Sequence, residues 1–328
     1  MGDRLVDVYD ALLFDLDGTV YRGGQAVPGA AAAVAAVRAN RTAVRFVTNN
    51  ASRSPQDVAA HLVGLGIDAE VDEVSTSAQA GAAVVAERLA PGDAVLVLGT
   101  AALAAEVTAR GLVPVRTADA GPKAVLQGLS PDLAWRDLAE AALVIRSGAL
   151  WVACNVDRTL PTERGLLPGN GALVHALVIA TEREPVVAGK PAAPLMDESV
   201  RSAGAAHPLV VGDRLDTDIE GAVATGLDSL LVLTGVATAR NVLEAPRQHR
   251  PTYLAADIRA VTETTDAVAI GPKPGWDVRV DGDRIRVEGA GDPLDLLRAL
   301  CAARWALDGP VRLDAHPALA ALGLTGSS

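Results

Sequence analysis

LFDLDGTVY, residues 13–21, is the stretch on which the reading of the whole chain turns. It is apolar through Leu13 and Phe14, then sets down Asp15, Leu16, Asp17, Gly18 and Thr19. A strand buried on both faces stays apolar throughout and ends where polar residues begin. Asp15 and Asp17 are therefore expected at the carboxyl end of a parallel strand, where open α/β sheets place their ligands. Residues two apart on an extended strand face the same way, so both carboxylates can serve one site. Gly18 lets the chain turn sharply or approach a ligand closely. The competing reading is a strand end whose aspartates cap the next helix.

Outward from this stretch the chain alternates strands and helices. VPGAAAAVAAVRA (27–39) predicts a helix with Pro28 near its start, and TAVRFVT (42–48) a second buried strand. Ser54-Pro55 opens a helix that runs to about Leu65 and stops at Gly66. Strand-helix-strand-helix is the pattern of a parallel sheet with right-handed crossovers. Further on, AVLVLG (94–99), VPV (113–115), AVLQGL (124–129) and LWVAC (150–154) read as strands. Helices are expected around 131–146 and over GALVHALVIAT (171–181). LVVGD (209–213) and SLLVLTG (229–235) read as buried strands, with a helix from Leu215 to Ala224 between them and an edge strand near TYL (252–254). From about 266 the character changes: WDVRVDGDRIRVEG alternates around Asp281-Gly282 as a hairpin, and Pro293 to Ala306 is helical, with Trp305 in its core.

Composition narrows the class. A chain of 328 residues, half of them hydrophobic, implies two domains and room for a small third. The net charge of -11 argues against a nucleic-acid footprint or a membrane-surface patch. An acidic protein still binds anions where a cation and a lysine invert the local field. Cys154 and Cys301 form neither a disulfide framework nor a zinc spacing and read as small buried thiols. No signal pattern opens the chain and no run reaches transmembrane length, so a cytoplasmic enzyme is expected.

Three more segments follow the first in order: VTNNAS (47–52), GKP (189–191) and VGDRLDTDI (211–219). Together the four resemble the haloacid dehalogenase-like phosphatases, with their DxDGT, Thr-Asn-Asn, Gly-Lys-Pro and GDxxxTD loops, over roughly residues 8–250. The long insert between the second and third segments resembles the cap of the NagD-like, type IIA members. The resemblance implies an α/β fold: a doubly wound, Rossmann-like parallel sheet with an inserted α/β cap of type C2 and a small C-terminal α+β extension. Its core would be 1–78 and 185–255, its cap 79–184, and its extension 266–328.

The resemblance also implies roles. Asp15 is the nucleophile, and a carboxylate that attacks phosphorus splits one hard displacement into two. Asp17 protonates the leaving alkoxide and then deprotonates water, which needs a raised pKa. Dehalogenase-like relatives lack this second acid. Asp15, Asp17, Asp213 and Asp218 would gather four carboxylates, which repel unless a cation joins them. Oxygen ligands without His or Cys point to Mg²⁺. By the resemblance, Asp15 and Asp213 bind it through side chains and Asp17 through its carbonyl, with Asp218 in the second shell. Thr48 and Asn49 grip the phosphoryl oxygens, and Lys190 offsets their charge. Taken alone, Asp213 also reads as a helix N-cap, Thr-Asn-Asn as a turn and Lys190 as a solvated loop lysine.

The cap is expected to close as a lid and to carry specificity. ACNVD (153–157) matches the family's ATNPD loop except at Cys154 and Val156, which points to Asn155 and Asp157 as specificity residues. Asp157 equally suits ordering its own loop. The expected function is Mg²⁺-dependent hydrolysis of small phosphate monoesters through an aspartyl-phosphate, with glycerol 3-phosphate the first candidate substrate. Alternatives are type IIA activity on a nucleotide monophosphate, phosphoglycolate or pyridoxal phosphate, a phosphomutase, or a phosphate-sensing binding protein. The expected partner is a small phosphorylated substrate, with no nucleic acid and no membrane insertion; a homo-oligomer stays open.

Overall fold

The structure, a computed structural model, describes residues 2–162 and 164–324. They form two compact units, Met1–Val44 with Ala205–Ser328, and Arg45–Gly204.

The first unit is organised by four parallel strands, Ala11–Asp15, Pro208–Gly212, Asp228–Val232 and Tyr253–Ala255, paired in the spatial order 253–255, 228–232, 208–212, 11–15. Leu13 lies opposite Val210, Val211 opposite Leu230, and Leu231 opposite Leu254. Nearly every residue of these strands is buried, as a sheet covered on both faces demands. The helix Ala30–Ala39 buries Ala30, Ala33, Val34 and Val37, one stripe at helical spacing. It starts later than the sequence suggests. Gly29 sits at φ +88° before it, and a Cβ there would lie 2.5 Å from Arg259 Cγ, so Pro28 stays outside the helix.

The C-terminal segment is α+β, as expected. Strands Trp276–Asp281 and Arg284–Gly289 form an antiparallel hairpin, and Arg312–Leu313 pairs parallel to the second of them. The register places Gly282 and Asp283 at the turn, one residue beyond the expected Asp281-Gly282. The helix Pro293–Trp305 buries Leu296, Leu297, Leu300 and Cys301. These side chains share one apolar cluster with Trp276, Ile285 and Val287 and also with Leu231, Val242 and Leu254 from the parallel-sheet part. Arg298, buried, donates to the carbonyl of Leu254 from Nε at 2.9 Å, and Trp305 Nε1 donates to Val242 O at 3.2 Å. The extension is thus built onto the sheet rather than tethered to it.

The second unit contains a five-stranded parallel sheet in the order Val186–Val187, Leu150–Ala153, Ala124–Gln127, Ala94–Leu98, Val113–Val115. Helices Trp135–Arg146 and Asn170–Thr181 cover one face through Ala141, Val144, Ile145, Val174 and Leu177. The first of these starts at Trp135 rather than near 131, where Asp137 closes the first turn by accepting from Ala134 N at 2.8 Å. Strand Val74–Thr76 pairs parallel with the strand Ala43–Thr48, Thr48 opposite Thr76. Helix Pro55–Gly64 opens with the capping box Ser54–Asp57, and helix Ser77–Ala86 with Thr76–Gln79. A hairpin of Thr159–Thr162 and Gly165–Pro168 has no counterpart in the sequence reading. Its leucines 160, 166 and 167 are exposed, so burial leaves no alternation to read.

Candidate active site

In the first unit two strand ends and the turn after one of them converge. Phe14 lies opposite Val211, so Asp15 and Asp213 leave neighbouring parallel strands at the same end. Beyond Asp213 the chain makes a π-turn, Leu215–Ile219, in which Ile219 N donates to Arg214 O, five residues back. An α-helix, Glu220–Thr225, follows it, where a single helix is expected from Leu215. The wide turn aims Asp218 back at the strand end, and its carboxylate accepts from Arg214 N at 3.1 Å. Carboxylate oxygens of Asp15, Asp213 and Asp218 lie within 4.8 Å of one another. Asp213 and Asp218 are fully buried and Asp15 half-buried.

Asp213 is tightly seated, and it is not a helix cap. Its carboxylate accepts from Val236 N at 2.7 Å and from Thr19 Oγ1 at 3.3 Å. A Cβ on Gly235 would lie 1.7 Å from Asp213 Oδ2, and one on Gly18, at φ +96°, 2.6 Å from it. A Cβ on Gly212 would likewise meet Asp218 Oδ2 at 2.4 Å. Three glycines thus let main chain press against two buried carboxylates. Thr234 Oγ1 holds the loop by donating to Gly18 O at 2.7 Å. Three clustered carboxylates with no nitrogen or sulfur donor suit a hard divalent cation such as Mg²⁺. Asp218, expected one shell out, stands in the same cluster as Asp15 and Asp213.

Asp17 lies outside that cluster. Its side chain keeps a solvent-facing side, yet the protein packed around it raises its carboxyl above the usual aspartate range, and the nearby Arg214 guanidinium pulls the other way. A raised carboxyl is the property expected of an acid that must donate a proton.

In the second unit, Thr48 ends its strand buried, and its Oγ1 accepts from Asn50 N at 3.1 Å. Lys190, also buried, donates from Nζ to Val47 O at 3.1 Å, so it is not a solvated loop lysine. Asn49 binds the main chain of Lys190 at both ends of its carboxamide. Its Oδ1 accepts from Lys190 N at 2.8 Å and its Nδ2 donates to Lys190 O at 3.0 Å. The Asn49 carbonyl accepts from Ser77 Oγ at 2.6 Å and from Asn155 Nδ2 at 2.7 Å. Asn155, buried, also accepts from Asp157 N at 3.2 Å, and its carbonyl accepts from Asn170 Nδ2 at 2.7 Å. The Asp157 carboxylate lies 3.3 Å and 3.4 Å from Asn49 Nδ2. Asn49, Lys190, Asn155 and Asp157 therefore form one hydrogen-bonded group, with Thr48 next to Asn49 in the chain.

Several supporting residues escaped the sequence reading. Ser77 and Asn170 open helices and look like ordinary caps, while Thr234, Gly235 and Val236 look like a strand end and its turn. Only Thr19 carried a signal, as the last residue of the DxDGT pattern. Burial pushes the Cys301 thiol up to about 12 and raises that of Cys154 further, so both cysteines are inert packing groups. Arg53 is exposed, near Asp57.

A strand-end acid cluster, an aspartate two residues on, and a buried lysine tied to an Asn-containing loop define a phosphoryl-transfer class of α/β enzyme. The haloacid dehalogenase-like hydrolase family matches residues 12–113, and a second profile of the same kind, HAD-hydrolase-like, matches 187–261. Residues 273–324 match a GCN5-related N-acetyltransferase-like domain. The chain belongs to the haloacid dehalogenase-like hydrolases. It is 53% identical over 306 residues to the D-glycerol 3-phosphate phosphatase of Mycobacterium tuberculosis, covering 90% of this chain and 86% of that one. An acid sugar phosphatase of Staphylococcus saprophyticus is 36% identical over 255 residues, covering 77% and 96%. The crystal structure of the M. tuberculosis glycerol phosphate phosphatase in complex with magnesium superposes with a TM-score of 0.95 at 50% identity, covering 99% of this chain and 100% of that one.

Proposed function

We propose that this protein is a Mg²⁺-dependent phosphatase that hydrolyses small phosphate monoesters, with glycerol 3-phosphate as its substrate. The observation that carries the proposal is the three-carboxylate cluster of Asp15, Asp213 and Asp218, seated against glycines where two parallel strands end. The 53% identity to a D-glycerol 3-phosphate phosphatase supports the choice of substrate.

In this reading a carboxylate oxygen of Asp15 attacks phosphorus, the ester P–O bond breaks, and Asp17 gives its proton to the departing alkoxide. Asp17, now ionised, takes a proton from water. The water oxygen attacks the phosphoryl group, the bond to Asp15 breaks, and phosphate leaves. Mg²⁺, held by the Asp15, Asp213 and Asp218 carboxylates and the Asp17 carbonyl, would neutralise charge on the phosphoryl oxygens. Thr48 and Asn49 orient the phosphoryl group, Asn49 through its main-chain N–H because its carboxamide is engaged by Lys190. Lys190 supplies a fixed positive charge.

We assign the core to residues 1–78 and 185–255 and the inserted cap to 79–184, by chain order. Compactness groups some core residues with the insert because helix Ala193–Ala203 packs on helix Ser77–Ala86. Asn155 and Asp157 belong to the insert, where Asp157 sets specificity and Asn155 holds its loop. Among the described residues no helix is long and apolar enough to cross a membrane. A cytoplasmic setting fits two buried, unpaired cysteines.

The test is phosphate release across a panel with and without Mg²⁺: glycerol 3-phosphate, a sugar phosphate, a nucleotide monophosphate, phosphoglycolate and pyridoxal phosphate. Glycerol 3-phosphate should give the highest kcat/KM. No release from any ester at saturating Mg²⁺ overturns the phosphatase reading, and a strong preference for another ester overturns the substrate.

A further inference from the structure

We propose that Asp157 is a positioning residue that acts through the Asn49 carboxamide to fix Lys190. The proposal deepens the phosphatase reading and rests on it for the role of Lys190. It gives the cap-loop aspartate a second task, independent of any contact with substrate.

The geometry is specific. A primary amide has one acceptor oxygen and two N–H donors. Asn49 Oδ1 takes the Lys190 N–H at 2.8 Å, and one Nδ2 proton goes to Lys190 O at 3.0 Å. The side chain thus copies a strand partner for one residue. The second Nδ2 proton is directed at the Asp157 carboxylate, 3.3 Å away. Reversing the amide would set its oxygen against both the Lys190 carbonyl and a carboxylate, two acceptors with no proton between them. Asp157 therefore reinforces the orientation that the Lys190 main chain already favours and holds the amide there. Lys190 is held a second time by the same segment, where its Nζ reaches Val47 O at 3.1 Å. Both its main chain and its Nζ are thus tied to the 47–49 strand end.

Asp157 is itself fixed. Its N–H donates to Asn155 Oδ1 at 3.2 Å, and its carbonyl accepts from Gly171 N at 2.9 Å. A Cβ on Gly169 would lie 2.2 Å from Asp157 O, and one on Gly171 2.2 Å from Val156 O. The Pro168-Gly169-Asn170-Gly171 turn can lie this close only because two of its residues lack side chains. Gly189 closes the group from the other side, where a Cβ would lie 2.6 Å from Asn49 Oδ1. An aspartate needed only to read a substrate hydroxyl has no reason to face the amide that holds the lysine.

The test uses the full chain in five forms: wild type, Asp157→Ala, Asp157→Asn, Asn49→Ala and the double variant Asp157→Ala/Asn49→Ala. Residue-resolved amide hydrogen exchange reads the Lys190 N–H directly. Asp157→Ala should speed its exchange about ten-fold, Asn49→Ala at least as much, and Asp157→Asn, whose amide oxygen still accepts from Asn49, should stay close to wild type. With excess Mg²⁺, kcat on p-nitrophenyl phosphate, which offers Asp157 no alcohol hydroxyl to read, should fall about ten-fold in Asp157→Ala, and less in Asp157→Asn. Asp157→Ala should add little to Asn49→Ala, in melting temperature as in exchange, and this cycle carries the test if Asp157→Ala proves unstable. Unchanged Lys190 exchange, or a wild-type kcat on p-nitrophenyl phosphate in Asp157→Ala, overturns the proposal, as does full additivity in the cycle. Absence of phosphate release from the wild type would instead count against the phosphatase reading, while the exchange arm would still report on the contact.

Discussion

Replacing Gly235 with alanine should disable the enzyme from a residue that carries no functional group. The added Cβ would lie 1.7 Å from Asp213 Oδ2 and 2.3 Å from Asp213 Cγ. Ordinary carbon–oxygen contact requires the two to separate by more than about 1 Å. The fully buried Asp213 is held by Val236 N at 2.7 Å, on the residue next to the substitution, so loop and carboxylate cannot both keep their places. Overpacking of this kind costs about 1–3 kcal/mol of stability. A displacement of about 1 Å at a reacting centre costs about a hundred-fold in rate. The assay is kcat for phosphate release from glycerol 3-phosphate at saturating Mg²⁺, with Mg²⁺ affinity by calorimetry and a melting curve on the same preparation. Gly64→Ala is the control: nothing lies within 4 Å of its Cβ position, so it should keep full activity and gain about 0.5–1 kcal/mol. A Gly235→Ala protein that melts normally and retains wild-type kcat and Mg²⁺ affinity would refute the claim that close main-chain packing seats Asp213.

Asp15→Asn should abolish turnover and leave no phosphorylated protein in an acid quench, because an amide is a poor nucleophile; a tenth of wild-type kcat would remove Asp15 from that role. Chelation should stop phosphate release, Mg²⁺ should restore it, and Ca²⁺, with its larger and looser shell, should bind without supporting turnover; full activity in excess chelator would take the metal out of the mechanism. Leu300→Ala should destabilise the protein by about 2–5 kcal/mol in urea unfolding, since Leu300 is fully buried in the cluster shared with Leu231 and Leu254. A separate early transition for the C-terminal segment, leaving the sheet transition unmoved, would contradict the shared core. Ser54→Ala should cost about 1 kcal/mol through loss of its capping box, read as a lower melting temperature with kcat unchanged.

Much of the fold was legible because burial writes directly into residue type. Ala11–Asp15 and Pro208–Gly212 are covered on both faces, and their apolar runs give them away. The errors fall where another force decides. Gly29 starts its helix two residues late because a positive φ and a close Arg259 settle the entry, which hydrophobic spacing does not encode. The π-turn at Leu215–Ile219 has the composition of an ordinary helix start, and the bond from Arg214 N to the Asp218 carboxylate that accompanies it joins residues no hydrophobic spacing links. The 159–168 hairpin leaves three leucines exposed, so its residues carry no burial pattern.

The site divides along the same line. Asp15, Asp17, Asp213 and Lys190 stand out because chemistry demands an acid or a cation at a strand end or loop. What each polar atom is spent on has no such signature. Asn49 was read as a phosphate ligand, and the residue is well placed in its loop for that. Yet its carboxamide is committed to Lys190 N and O, and its carbonyl to Ser77 and to Asn155, 106 residues further along the chain. Buried amides must satisfy their donors and acceptors somewhere, and a partner so distant in sequence leaves no periodicity or spacing to detect. The same requirement makes Asn155 a holder of loops. Its one carboxamide donates to Asn49 O and accepts from Asp157 N, which leaves Asp157 as the loop's only carboxylate. Specificity read from ACNVD therefore narrows from two polar residues to one, and that one already faces the amide that positions the lysine.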